Sequence, residues 1–171
     1  RIHEGDICID ATAGRGNDTA YLCGLAGESG KIIAFDIQQE AIDSTAKLLE
    51  EKGLSSRAEL ILGSHTQMDS YAEEGTVSCI TFNFGWLPGG DHTVHTMKDT
   101  SIEAVKKALR LLKQGGLISM ILYYGRDTGF EEKEALLEFV KTIDSAEYSV
   151  ITVDFSNRPN CPPIPIFILR E

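Results

Sequence analysis

The sequence predicts a doubly wound α/β fold whose sheet is mostly parallel and ends in an antiparallel C-terminal strand. Three observations carry this. Five short apolar runs, at 7–11, 31–37, 58–62, 77–84 and 117–123, each end in a polar or glycine-rich loop. Helical patterns separate most of them, and two further strand-like runs close the chain with no helix between them. Apolar runs without alternation suit strands buried on both faces, as parallel strands are when helices cover both sides. There is no repeat and no linker, so residues 1–171 are expected to form a single domain.

The run at 7–11 leads into a glycine-containing loop, and a helical pattern begins near Asp18. After 31–37, a helix over 39–52 sets Ala41, Ile42, Thr45, Leu48 and Leu49 on one face and stops at Gly53, a residue that tolerates the left-handed cap. Thr100 with Glu103 forms a capping box for a helix through Leu112, ended by Gly115 and Gly116. Thr128 with Glu131 repeats the device for a helix to about Ile143. The closing strands, 148–155 and 164–169, are joined by a proline-rich connection in which Pro159, Pro162, Pro163 and Pro165 are expected to lie outside any paired ladder.

Composition narrows the function. With 42% hydrophobic residues the chain can bury a core, which excludes disorder. Acidic residues outnumber basic ones 26 to 16, a net charge of −10, so any nucleic acid must be met by a local basic patch. No apolar run reaches the roughly 20 residues of a membrane span, and no basic-then-apolar leader opens the sequence. Cys8, Cys23, Cys79 and Cys161 show no C-x-x-C pair and no nearby His at zinc-ligand spacing. The expectation is a soluble cytoplasmic protein with reduced thiols, no metal and no membrane partner. Oligomeric state cannot be read, and a homodimer stays open.

In doubly wound sheets ligands bind beyond the carboxyl ends of the strands, so the loops there are the candidates. After the first strand comes D-A-T-A-G-R-G-N-D-T, Asp10 to Thr19. Its glycines, Gly14 and Gly16, let a ligand approach the backbone, although the same pattern also serves a plain strand-to-helix turn. The second strand ends in Asp36, twenty residues beyond Gly16, where a carboxylate can accept from both hydroxyls of a ribose. Together the two loops imply a nucleoside-containing cofactor. The third glycine of a dinucleotide fingerprint is missing, because position 19 is Thr, and Asn17 and Asp18 stand where a pyrophosphate would lie. A carboxylate there repels pyrophosphate and suits an ammonium, which favours S-adenosyl-L-methionine over a nicotinamide.

Ser64 and His65, in the third loop, either bond or cover an adenine or simply form a polar turn. The fourth loop, T-F-N-F-G-W-L-P-G-G-D-H, ends a buried strand with Asn83 and two aromatics. Asn83 followed three residues later by an aromatic echoes the N-P-P-Y loop of amino methyltransferases, with Phe84 and Gly85 in place of both prolines. In that arrangement an amide oxygen accepts the hydrogens of an amine and the aromatic stacks on the base. The other reading is a buried Asn tying the loop beside a core Trp. Asp91, His92 and His95 are candidate proton acceptors, Asp91 first.

These loops, with F-D-I-Q, the Ser-His after the third strand, F-N-F-G-W-L-P-G-G-D, Y-Y-G and the closing F-S-N-R-P-N-C-P-P, resemble the rRNA methylase family of class I methyltransferases over essentially the whole chain. The resemblance implies a Rossmann-like class I methyltransferase fold and S-adenosyl-L-methionine as cofactor. It further implies tRNA as partner, met at the anticodon loop, with N-methylation of 5-aminomethyl-(2-thio)uridine at the wobble position. By matching positions Asp10, Gly14, Gly16, Asn17, Asp18 and Thr19 would surround the methionine part, Asp36 and Gln38 the ribose, and Ser64 with His65 the adenine. Asn83, Gly85, Trp86, Leu87 and Asp91 would face the modified uridine, Asn83 and Asp91 being the catalytic candidates, while Arg126 departs from the family pattern and is expected on the substrate side only as a loop cation. Arg126 stands where many relatives have His, and the helix that usually precedes the first strand is expected to be short or absent. Arg15, Arg126 and Arg158 are the loop cations that could hold phosphates; Lys98, Lys106, Lys107, Arg110 and Lys113 either add to them or form a solvated helix face. An rRNA or small-amine substrate, or a non-catalytic cofactor-binding module, stays open beside this reading.

Overall fold

A computed structural model describes residues 2–85, 98–125 and 129–171, and the Lys98 side chain lies outside that set. The chain alternates strand and helix as β1 (Ile7–Asp10), α1 (Asn17–Ala26), β2 (Lys31–Asp36), α2 (Gln39–Glu51), β3 (Ala58–Leu62), β4 (Val77–Phe84), α3 (Lys98–Leu111), β5 (Leu112–Leu122), α4 (Phe130–Val140), β6 (Tyr148–Thr152) and β7 (Ile164–Arg170). Short 3-10 turns cover Ser55–Arg57 and His65–Ser70. The strands form one seven-stranded sheet in the order β3-β2-β1-β4-β5-β7-β6, and only β7 runs antiparallel to its neighbours.

Winding reverses between β1 and β4, so the loops after both strands share one edge of the sheet. Two cores sandwich the sheet. On one face Ala20, Leu22, Cys23 and Ala26 of α1 and Leu49 of α2 meet Cys8, Ile32 and Cys79. On the other, Ala104, Val105, Ala108 and Leu111 of α3 and Leu136 and Val140 of α4 meet Ile80, Phe82, Ile118, Met120, Ile166 and Ile168. Cys8, Cys23 and Cys79 are buried and free, as expected, while Cys161 is exposed. Burial pushes the Cys8 thiol up to about 12 and Cys79 to about 11, which keeps both protonated and inert.

Three local expectations are corrected. The helix over Thr100 to Leu112 begins no later than Lys98, so Thr100 lies within it and is not its cap. It also gives way to β5 at Leu112, before the glycine pair. Leu112 pairs with Val77 and Leu117 with Cys79, so 113–116 bulge out of the ladder and Gly115 takes φ 73° within that bulge. The next helix ends at Val140, and Thr128 of its expected capping box lies outside the described residues. Pro165 sits inside β7, in register with Ile121. Its carbonyl accepts from the Val153 N–H on the β6 side, so its ring nitrogen also faces away from β5 and no bond to β5 is lost.

Candidate functional site

The loop between β1 and α1 is shaped from below. Asp10 is fully buried, and its carboxylate receives the Thr19 hydroxyl at 2.6 Å, the Thr12 N–H at 3.2 Å and the Thr81 hydroxyl at 3.4 Å. Burial, with help from the Asp18 charge, raises the Asp10 carboxyl to about 6 against the pull of those hydrogen bonds. Gly16 turns the chain into α1 at φ 81°, and a Cβ there would lie 2.9 Å from the Thr45 Cα, so α2 packs directly on the loop. Asn17 and Asp18 open the helix and are exposed.

Asp36, at the tip of β2, accepts the backbone N–H of Gly14 and of Gln38, each at 3.0 Å. The structure therefore joins the first two loops through one partly buried carboxylate. Ser64 accepts from the Thr66 N–H at 3.2 Å and lies 2.8 Å from the Thr66 hydroxyl, capping the 3-10 turn. His65 turns inward, edge-on to Phe82 and Phe84 with ring centroids 6.1 and 6.0 Å away, and its Nε2 is buried without a hydrogen-bond partner. Desolvation lowers its pKa, so the imidazole is neutral. Ser64 thus caps the turn, whereas His65 is buried with one ring nitrogen unpartnered and does not match a polar turn with a satisfied imidazole.

At the end of β4 the side chains alternate. Phe82 and Phe84 are buried in the core, while Thr81 and Asn83 occupy the opposite face toward α1. Asn83 donates its backbone N–H to the Thr12 hydroxyl at 2.7 Å and its side-chain amide to Asp18 at 2.8 Å. Gly85 follows at φ 135°, where a Cβ would lie 2.9 Å from the Tyr123 Cβ. Beside the pair opens a groove of about 400 Å³ between α1 and the sheet, bordered by Asp18, Tyr21, Leu25, Asn83, Leu117 and Ile121. Trp86, Leu87, Asp91, His92, His95 and Arg126 lie outside the described residues.

Thr12, Thr81 and Tyr123 were not singled out by sequence reasoning. Two polar residues two positions apart near the end of β4, Thr81 and Asn83, were the available signal for Thr81. Thr12 and Tyr123 carry no signal of their own. The basic run over α3 and the start of β5 is largely engaged: Lys107 bonds the Thr66 carbonyl and Asp69, Arg110 pairs with Glu74, Lys113 with Asp6, and Lys106 lies over the Phe139 ring. Among the described residues no helix is long and apolar enough to cross a membrane, and no cluster of three or more His, Cys, Asp or Glu could hold a metal.

A sheet in this order, with a glycine loop after β1 and a carboxylate at the tip of β2, is the class I methyltransferase fold. Solved structures agree: a protein described as a "putative rRNA-methylase" from Clostridium thermocellum matches with TM-score 0.96 and 47% identity over 99% of this chain and 91% of that one. A "putative methyltransferase" from Streptococcus mutans, in complex with SAH, matches with TM-score 0.90 and 35% identity over 99% of this chain and 91% of that one. The chain belongs to the family described as "Putative rRNA methylase", whose match spans residues 32–169. It is also 36% identical, over 99% of its length, to the chloroplastic tRNA (mnm(5)s(2)U34)-methyltransferase of Arabidopsis thaliana, of which it spans 65%.

Proposed function

We propose that the chain methylates the aminomethyl nitrogen of 5-aminomethyl-(2-thio)uridine at the wobble position of tRNA, giving the 5-methylaminomethyl product. The observation that carries this is Asn83, held at the tip of β4 beside the glycine loop by Thr12 and Asp18. The plant relative, named as a tRNA (mnm(5)s(2)U34)-methyltransferase, supports the same substrate.

The residues present suit the cofactor. Gly14 and Gly16 put no side chain at two positions of the loop, and Asp36, half-buried at the tip of β2, offers a carboxylate for ribose hydroxyls. When bound, adenosylmethionine supplies an electrophilic methyl carbon on a sulfonium and is left as a neutral thioether. An amine attacks only through its lone pair, so the chain must receive the nitrogen uncharged and direct its hydrogens elsewhere. Asn83 Oδ1 is the acceptor for one of them, and its contribution is orientation. Asp91 is assigned as proton acceptor for the product ammonium, with Gly85, Trp86, Leu87 and Arg126 toward the nucleotide. Asp10 and Thr19 shape the loop from beneath, and Asn17, Gln38, Ser64 and His65 complete the cofactor side.

The net charge of −10 and the engaged lysines favour a second reading, a small cationic amine as acceptor. Nucleoside mass spectrometry of tRNA from cells lacking the protein tests the first. Accumulation of the unmethylated aminomethyl nucleoside is expected, and an unchanged nucleoside profile would overturn it. Methyl incorporation into purified tRNA, rRNA and small amines separates the substrates.

A further inference from the structure

We propose that Asp18 is a positioning residue that sets which end of the Asn83 amide faces the acceptor amine. The inference rests on the amine-methylation reading above and deepens it.

An amide presents an oxygen that accepts and an NH2 group that donates, at nearly equal reach, and the two exchange places on rotation about the last side-chain bond. Only one arrangement leaves the oxygen for a substrate amine. Asp18 Oδ2 lies 2.8 Å from Asn83 Nδ2. An ionised carboxylate only accepts, so it meets the NH2 end; the flipped amide would set two acceptors against each other. Asn83 Oδ1 is then the end left for the substrate.

Both ends of this tether stand on fixed backbone. The Asn83 N–H is bound to the Thr12 hydroxyl at 2.7 Å. Asp18 is the second residue of α1, whose start is held by Gly16 N–H to the Ala13 carbonyl at 2.8 Å and by Thr19 to buried Asp10 at 2.6 Å. Loops 65 residues apart in the chain are thereby locked so that the amide has one orientation before substrate arrives. The charge on the partner also polarises the amide, which strengthens its oxygen as an acceptor.

The competing role for Asp18 is a direct anchor for the cofactor's ammonium, and the two roles separate kinetically. In the full-length chain, Asp18→Ala is expected to lower kcat by about 10- to 100-fold while the Kd for adenosylhomocysteine moves less than about threefold. Asp18→Asn keeps the shape and one accepting oxygen and should recover part of that loss. Asp18→Ala combined with Asn83→Ala should be no slower than Asn83→Ala alone, because the tether has nothing else to orient. In the ligand-free protein the Asn83 side-chain NH2 resonances should shift in Asp18→Ala, with an unchanged thermal unfolding curve as the control for folding.

Cofactor affinity falling in step with kcat, additive losses in the double variant, or unmoved Asn83 resonances would each overturn the proposal. If the wild-type chain methylates no aminomethyluridine, the functional reading fails, whereas the resonances still report whether Asp18 holds the amide.

Discussion

The backbone N–H of Gly14 lies 3.0 Å from Asp36 Oδ2, so the tip of β2 holds the glycine loop that follows β1. The same carboxylate holds the Gln38 N–H at the start of α2. Replacing Asp36 by Ala removes a ribose acceptor and strands two loop donors, each costing about 1–3 kcal/mol when left unpaired. The Kd for adenosylhomocysteine is expected to rise at least about tenfold in a calorimetric titration. An unchanged Kd would mean that the carboxylate only ties the loops.

Asn83→Ala is expected to do the opposite. Its backbone N–H still reaches Thr12, so the loop keeps its tie, while the amide oxygen is gone. Losing one oriented polar contact to the reacting group costs about 10²- to 10³-fold in kcat. Cofactor affinity should stay nearly intact in the same titration, and an equal loss of both would show that the fourth loop belongs to the cofactor.

Gly16→Ala tests the close approach of the two helices. The residue stands at φ 81°, and the added methyl would lie 2.9 Å from backbone of Thr45, which cannot rotate away. We expect a loss of about 1–3 kcal/mol in chemical denaturation, with weakened cofactor binding because the loop must shift. Wild-type stability would show that α2 yields without cost.

Asp10 predicts a pH dependence. Burial first, then the charge of Asp18, raises its folded-state carboxyl to about 6, whereas the unfolded group ionises near the ordinary 3.8. Between those values the folded state keeps a proton the unfolded chain has lost, so stability falls as pH rises through this window. The total is on the order of 2–3 kcal/mol. Asp10→Asn removes this contribution, so its stability relative to wild type should improve from about pH 4.5 to pH 7 in urea titrations. A constant difference across that range would mean that the buried carboxyl is ionised throughout.

Much of the architecture is written locally. The apolar run at 77–84 became β4 at those boundaries, because a strand covered on both faces needs apolar side chains on both, while the run at 58–62 became the edge strand β3, in which Glu59 and Leu62 are exposed. Gly53 ended α2 one residue past its cap at φ 66°, a conformation that disfavours other side chains. The capping box at Thr100 misled because its pattern of residue types also occurs within a helix, and Leu112 left the helix because Val77 offered it a strand partner.

By itself the sequence determined the strand-helix alternation, the glycine turn after β1 and the carboxylate at the tip of β2, since each depends on backbone preferences and burial within a short stretch. Only the tertiary structure decided that Asp18 meets Asn83, that Thr12 carries the end of β4, and that the α3 cations are engaged by neighbouring side chains and backbone. The first two contacts come from the lateral placement of β1 beside β4 and the third from α3 lying against the 3-10 turn, and residues 65 positions apart leave no mark of this in either local pattern.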